Sequence, residues 1–136
     1  MDKVLVLDFG GQYDQLIARR IRDMKVYAEI AYCDKITPEE ILAKGYKGIV
    51  LTGGPNSVYD PASPHYDKKL LELGIPVLGI CYGHQLLAYL AEGVIASAGK
   101  AGEYGKINLY VDNTNVLFSD VPESSICWMS HRDSVI

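Results

Sequence analysis

The clearest chemical signature in the chain is Cys81 and the glycines on either side of it. Gly79-Ile80-Cys81-Tyr82-Gly83 sets a thiol between two residues that lack side chains. The apolar run Pro76 to Ile80 leads in, with the pattern of a strand buried on both faces. Leu86, Leu87, Leu90 and Ala91 follow at helical spacing. Strand, sharp turn and helix make an elbow that lifts a nucleophile above the end of a sheet. The free N–H groups and the dipole of the helix start would stabilise a thiolate there. The alternative for Cys81 is a buried, inert core cysteine. The flanking glycines favour the nucleophile.

The preceding residues supply the elements that must hold such an elbow. Val4 to Asp8 reads as a strand, and Phe9-Gly10-Gly11-Gln12-Tyr13 as a tight turn. Leu16, Ile17, Ile21 and Met24 then repeat at helical spacing. The glycine turn before a helix could hold a phosphate, or simply close a strand–helix connection. Arg19, Arg20 and Arg22 could meet an acidic partner, or form a solvated helix face. Val26 to Tyr32 reads as a second strand. Thr37-Pro38-Glu39-Glu40 reads as a helix start, with Thr37 as N-cap, Pro38 at the first position and Glu40 at the capping-box position. Gly45 ends that helix. Lys47 to Thr52 is a third strand, closing on Gly53-Gly54-Pro55-Asn56-Ser57, and 66–73 a short helix stopped by Gly74.

Strand and helix alternate up to Glu92, which predicts an α/β fold of flavodoxin-like type. Its central sheet is mostly parallel, with helices on both faces. Ligands bind such sheets at the carboxyl ends of the strands. Asp8-Phe-Gly-Gly, Thr52-Gly-Gly-Pro and Gly79-Ile-Cys-Tyr-Gly all follow strand ends, so three glycine-bearing loops are expected to converge. After Gly93 the pattern changes. Strands at 94–97, 105–111 and 125–129, with turns at Asp112-Asn113 and Asp120-Val121-Pro122, predict an antiparallel extension of the sheet.

Composition excludes several classes. The chain has 136 residues, 49% hydrophobic, which suits one globular domain with a real core. Its net charge of −4 gives no nucleic-acid surface. Cys33, Cys81 and Cys127 are too widely spaced for a zinc site or a disulfide framework, which suits a reducing cytoplasm. No signal peptide or membrane span is read.

Five strings together resemble the glutaminase domain of the GMP synthases, within the class I glutamine amidotransferases. They are Asp8-Phe-Gly-Gly-Gln-Tyr13, Ala18-Arg-Arg-Ile-Arg22, Leu51-Thr-Gly-Gly-Pro-Asn-Ser57, Gly79-Ile-Cys-Tyr-Gly-His-Gln85 and Trp128-Met-Ser-His-Arg-Asp133. The resemblance implies that the Cys81 thiolate attacks the side-chain amide of glutamine and forms a thioester. It implies an oxyanion hole from the N–H groups of Gly54 and Tyr82. It implies substrate binding by Gln85 and by the segment Ser130, His131, Arg132 and Asp133. Ammonia would pass to an ATP-pyrophosphatase (synthetase) domain or subunit, which uses ATP and Mg to aminate XMP to GMP. The glutaminase domain itself would need no cofactor and no metal, and the Gly10-Gly11 turn no phosphate.

Two departures stand out. Many relatives have glycine where Arg132 stands. The family's catalytic His and Glu lie in a His-Pro-Glu motif beyond the Ser-His-x-Asp segment, and no such string occurs in these 136 residues. The expectation is therefore residues 1–136 as one amidotransferase domain lacking its C-terminal part, inactive alone and prone to self-association. His84 is expected to be a packing residue, His131 structural, and His65 a surface residue. Two other readings are a different cysteine hydrolase of the same superfamily and a non-catalytic binding module.

Overall fold

A computed structural model describes residues 2–54, 57–93, 95–97, 103–110, 114, 116–131 and 133–135. The chain divides into two compact units, Met1–Ile95 with Val135–Ile136, and Ala96–Ser134.

In the first unit β1 (Lys3–Asp8), β2 (Tyr27–Tyr32), β3 (Gly48–Leu51) and β4 (Val77–Gly79) form one sheet in the order β2-β1-β3-β4. Every pairing is parallel, as the alternation predicts. Side chains alternate across β1 and β3, so each sheet face collects its own core. Leu5, Leu7, Ile49 and Leu51 share one cluster with Ile41, Leu70 and Leu86. These last three come from α2 (Pro38–Lys44), a 3-10 helix (Lys68–Glu72) and α3 (Tyr82–Leu90). Val6, Val50 and Ala28 meet Ala18 of α1 (Asp14–Asp23) on the other face. There α1 leaves an open hollow of about 320 Å³ walled by Leu16, Ile17, Ile21, Val50, Leu78 and Ile80.

Local chemistry sets the element ends. The Thr37 hydroxyl oxygen accepts the Glu40 N–H at 3.2 Å, and Glu40 Oε1 lies 3.2 Å from that hydroxyl. Gly45 ends α2 at φ 71°, a left-handed conformation that costs glycine nothing. The helix expected over 66–73 is shorter and tighter. It is a 3-10 turn capped by Asp67, whose carboxylate accepts the Lys69 N–H at 2.9 Å. Five residues before the Gly74 stop are too few for a settled α-helix.

In the second unit β6 (Glu103–Tyr110) and β7 (Ser124–His131) pair antiparallel over their whole length, from Glu103 opposite His131 to Tyr110 opposite Ser124. The expected antiparallel strands are therefore present, with shifted ends. Together they form a two-stranded antiparallel sheet, distinct from the four-stranded parallel one. A short 3-10 turn, Val116–Phe118, comes before the Asp120 turn, where Asp120 has φ 67° and the Val121 N–H donates to Phe118 O at 3.0 Å. The turn expected at Asp112-Asn113 lies outside the described residues. β5 (Ile95–Ser97) and β8 (Asp133–Val135) form a further two-stranded sheet.

Candidate active site

The elbow forms as its residues dictate. Cys81 caps α3 with φ 55° and ψ −119°, and its side chain is exposed. A non-glycine residue in such a conformation typically costs about 1–3 kcal/mol and persists only where its surroundings enforce it. The flanking glycines are part of that enforcement. A Cβ at Gly79 would lie 2.8 Å from both the Gly83 carbonyl oxygen and the His84 nitrogen. A Cβ at Gly83 would overlap the Leu51 carbonyl at the end of β3. Helix α3 can thus start only if both positions are bare.

The first turn of α3 leaves a donor free. The Gly83 N–H donates to Ile80 O at 2.9 Å, and the His84 and Gln85 N–H groups to Cys81 O at 3.0 and 3.3 Å. The Tyr82 N–H has no hydrogen-bond partner among the described residues, as expected at a helix N-terminus. The Gly54 N–H also lacks one among them. These are the two groups expected to form the oxyanion hole.

Tyr82 holds the neighbouring loops in place. Its ring is buried, 5.8 Å from the Phe9 ring, and its hydroxyl donates to Pro64 O. Burial pushes that hydroxyl up to about 12, so it remains a donor. Gly54 passes so close that a Cβ there would lie 2.8 Å from the Tyr82 ring. A Cβ at Gly53 would lie 3.8 Å from the Cys81 Cβ, and one at Gly11 2.6 Å from Gly53 O. The three glycine-bearing loops therefore meet at one end of the sheet. Pro55 and Asn56, which complete the middle loop, lie outside the described residues.

The Gly10–Gly11 turn closes the connection from β1 to α1. Its Gly10 N–H is taken by Asp8 Oδ1 at 2.7 Å. Arg22 likewise serves the fold, donating through Nη2 to Ala28 O at 2.7 Å. Gln85 sits half-buried in the first turn of α3, and His84 beside it is exposed. His65 is an exposed residue whose Nε2 lies 2.6 Å from Val58 O.

Within the second unit, Ser130 stands opposite Tyr104 and His131 ends β7 opposite Glu103. Asp133 begins β8, and Arg132 lies outside the described residues. Among the described residues no cluster of His, Cys, Asp or Glu could hold a metal ion, and no helix is long and apolar enough to cross a membrane.

One group beside the site went unread in the sequence. Asp14 and Thr52 are buried polar residues, and burial first, with Asp8 next, pushes the Asp14 carboxyl up to about 6. The available signal was a strand-end acid six residues before a helix-start acid, across a glycine turn too short to part them.

A profile of the family described as "Glutamine amidotransferase class-I" matches residues 5–136. The chain is 53% identical over 134 residues to the glutamine-hydrolysing GMP synthase of Agathobacter rectalis, covering 98% of this chain and 25% of that protein. It is 55% identical over 133 residues to the GMP synthase of Caldicellulosiruptor saccharolyticus, covering 97% of this chain and again 25% of that protein. It therefore spans about a quarter of the length of these curated relatives. A crystal structure from Thermoplasma acidophilum, assigned to one subunit of a GMP synthase, superposes with a TM-score of 0.85 at 30% identity, over 100% of this chain and 67% of that one. A Thermotoga maritima glutamine amidotransferase shares the fold, with a TM-score of 0.72 at 21% identity over 99% of this chain and 62% of that one. With its elbow, its converging glycine loops and a family match from residue 5 to residue 136, the chain belongs to the class-I glutamine amidotransferases.

Proposed function

We propose that these residues are the glutaminase part of a GMP synthase. The observation that carries the reading is the strained, exposed Cys81, with N–H groups of Tyr82 and Gly54 nearby that have no partner among the described residues. The Cys81 thiolate attacks the side-chain amide carbon of glutamine. Negative charge moves to the amide oxygen, and the two N–H groups hold it. In other enzymes one such donor is worth about 3–4 kcal/mol. The C–N bond then breaks, the nitrogen takes a proton and leaves as ammonia, and a glutamyl thioester remains. Water hydrolyses the thioester to glutamate and returns the thiol.

Gln85 orients the substrate side chain, and Ser130, His131, Arg132 and Asp133 hold its amino-acid end. Ammonia passes to an ATP-pyrophosphatase domain or subunit, which uses ATP and Mg to convert XMP to GMP. The names of the relatives support that partner. The work belongs in the cytoplasm, where Cys81 stays reduced. The apolar hollow beside α1 favours association with another apolar surface, a second copy included.

The proton steps need an acid–base that His65, His84 and His131 do not supply in this reading. The 136 residues alone should therefore bind and react once, without turning over. The test is mass spectrometry of the chain after incubation with a glutamine-like chloroketone, beside an ammonia assay with glutamine. Stoichiometric labelling at Cys81 is expected, lost in Cys81→Ala. Glutamine turnover is expected about 10²–10⁴-fold below that of an intact glutaminase. No labelling would overturn the amidotransferase reading in favour of a binding module. Full turnover, abolished by Cys81→Ala, would show that another residue acts as the base.

A further inference from the structure

Between the Gly53–Gly54 loop and the elbow, residues 57–66 carry a buried hydroxyl that the glutaminase chemistry does not use. Ser63 is 7% exposed. Its hydroxyl donates its only proton to Ser57 O at 2.6 Å. The Asp60 N–H donates to the same carbonyl at 3.1 Å, and the Ser63 N–H to Asp60 O at 2.9 Å. Asp60 Oδ1 accepts the Ala62 N–H at 2.9 Å. The segment is thus wound on itself, and the Ser63 hydroxyl closes it onto Ser57. A second closure lies beside the first: His65 Nε2 is 2.6 Å from the carbonyl oxygen of the buried Val58.

The two ends of this segment reach the two sides of the site. Ser57 lies three residues after Gly54. Pro64 O, next to Ser63, accepts the Tyr82 O–H. Tyr82 also lays its ring on Gly54, where a Cβ would lie 2.8 Å from it. One side chain therefore packs its ring on the middle loop and holds through its hydroxyl the segment that follows that loop. On the other side of Gly54, the Thr52 hydroxyl is fixed to Leu7 O at 2.9 Å. The Gly54 and Tyr82 N–H groups have no partners of their own among the described residues, so their spacing is set by what holds the two loops.

We propose that Ser63 is a positioning residue: by closing residues 57–66 onto Ser57 while Pro64 is bound to the Tyr82 hydroxyl, it sets the spacing of the Gly54 and Tyr82 N–H groups beside Cys81. The effect on the reaction rests on the glutaminase reading; the strut from Ser57 to Tyr82 does not. Without the Ser63 hydroxyl, Ser57 O keeps only the Asp60 N–H, and the loop gains freedom where the oxyanion must be met. Donors that have to be ordered during the reaction lose the advantage of preorganisation.

The test compares Ser63→Ala, Tyr82→Phe and the double variant in the full chain. Tyr82→Phe keeps the ring and the backbone N–H and removes only the hydroxyl. The readout is the Cys81 labelling rate with a glutamine-like chloroketone divided by that with iodoacetamide, which cancels the thiolate fraction. Each single variant is expected to lower this ratio about three- to tenfold, less than removing an oxyanion donor outright. The double variant should fall no further than the lower of the two, because both hydroxyls act through one strut. An unchanged ratio in Ser63→Ala, or losses that multiply in the double variant, overturns the proposal. Where Ser63→Ala does not fold, an unchanged ratio in Tyr82→Phe overturns it equally.

Backbone NMR gives a readout that a general loosening would not. In Ser63→Ala the Gly54 amide is expected to shift, while the amides of the buried Val6 and Val50 in the sheet stay in place. A Gly54 amide that does not move, or shifts spread equally through β1 and β3, overturns the positioning role. If the unaltered chain shows no preference for the chloroketone, the glutaminase reading falls instead, and the Gly54 amide alone decides the strut.

Discussion

Gly83 packs directly on the main chain of Leu51, so that a Cβ at position 83 would occupy the space of the Leu51 carbonyl oxygen. That same oxygen accepts the Ile80 N–H at 2.9 Å. One carbonyl thus fixes both sides of the elbow.

Gly83→Ala should therefore destabilise the chain. Alanine gains about 1 kcal/mol of helix propensity over glycine. Overpacking costs about 1–3 kcal/mol, and here the clash is with backbone, which cannot rotate away. The clash wins. A lower urea midpoint and slower chloroketone labelling of Cys81 are expected. An unchanged midpoint would show that α3 can shift away from β3.

Gly54→Ala tests the oxyanion loop without touching the nucleophile. The new Cβ would sit 2.8 Å from the buried Tyr82 ring. The loop must move, and the Gly54 N–H with it. Chloroketone labelling should fall about 10²-fold, the scale of a lost oxyanion donor. Iodoacetamide labelling should change little. Equal losses with both reagents would mean that the thiol itself was disturbed.

Cys81→Gly should raise stability while abolishing labelling. The φ 55°, ψ −119° conformation costs a cysteine about 1–3 kcal/mol. Glycine relieves most of this and loses only about 0.5–1 kcal/mol through unfolded-state entropy. A net gain in melting temperature is expected by calorimetry. A decrease would show that Cys81 is not strained.

The raised Asp14 carboxyl makes stability fall as pH rises from about 4 to about 6. In that interval the folded chain holds a proton that the unfolded chain has lost, so raising pH favours unfolding. Above about 6 both states are ionised at this position and its penalty is constant. Asp14→Asn removes it. The variant should gain stability over the unaltered chain between pH 4 and pH 7 in urea titrations, most of it by pH 6. A difference that does not vary with pH would place the Asp14 carboxyl at its ordinary value.

The parallel sheet was legible because each strand is a short apolar run bounded by polar or glycine residues. Buried parallel strands leave few other readings. The elbow was legible for a different reason: Gly79 and Gly83 mark places where backbone meets backbone, and sequence displays that directly. The 3-10 turn at Lys68–Glu72 was not legible. Lys68, Leu70 and Leu71 suit either helix type, and length alone decides. The hairpin's independence as a sheet was hidden as well, since strand pattern says that a residue pairs but not with which neighbour. Asp14 was missed because an acid at a helix start is ordinary on a surface. Only the fold shows that it is buried.

The pairing of β4 with β3 has a kinetic meaning. Val4 meets Gly48 across the intervening β2 and α2, and Val50 meets Leu78 across the 3-10 turn at Lys68–Glu72. Such distant closures are slow relative to helix formation. The main-chain contact that forces Cys81 into its conformation belongs to Leu51, so the nucleophile cannot be cocked before β3 has docked. A growing chain would carry an ordinary thiol until its sheet is complete. Reactivity at Cys81 would then report the docking of β3.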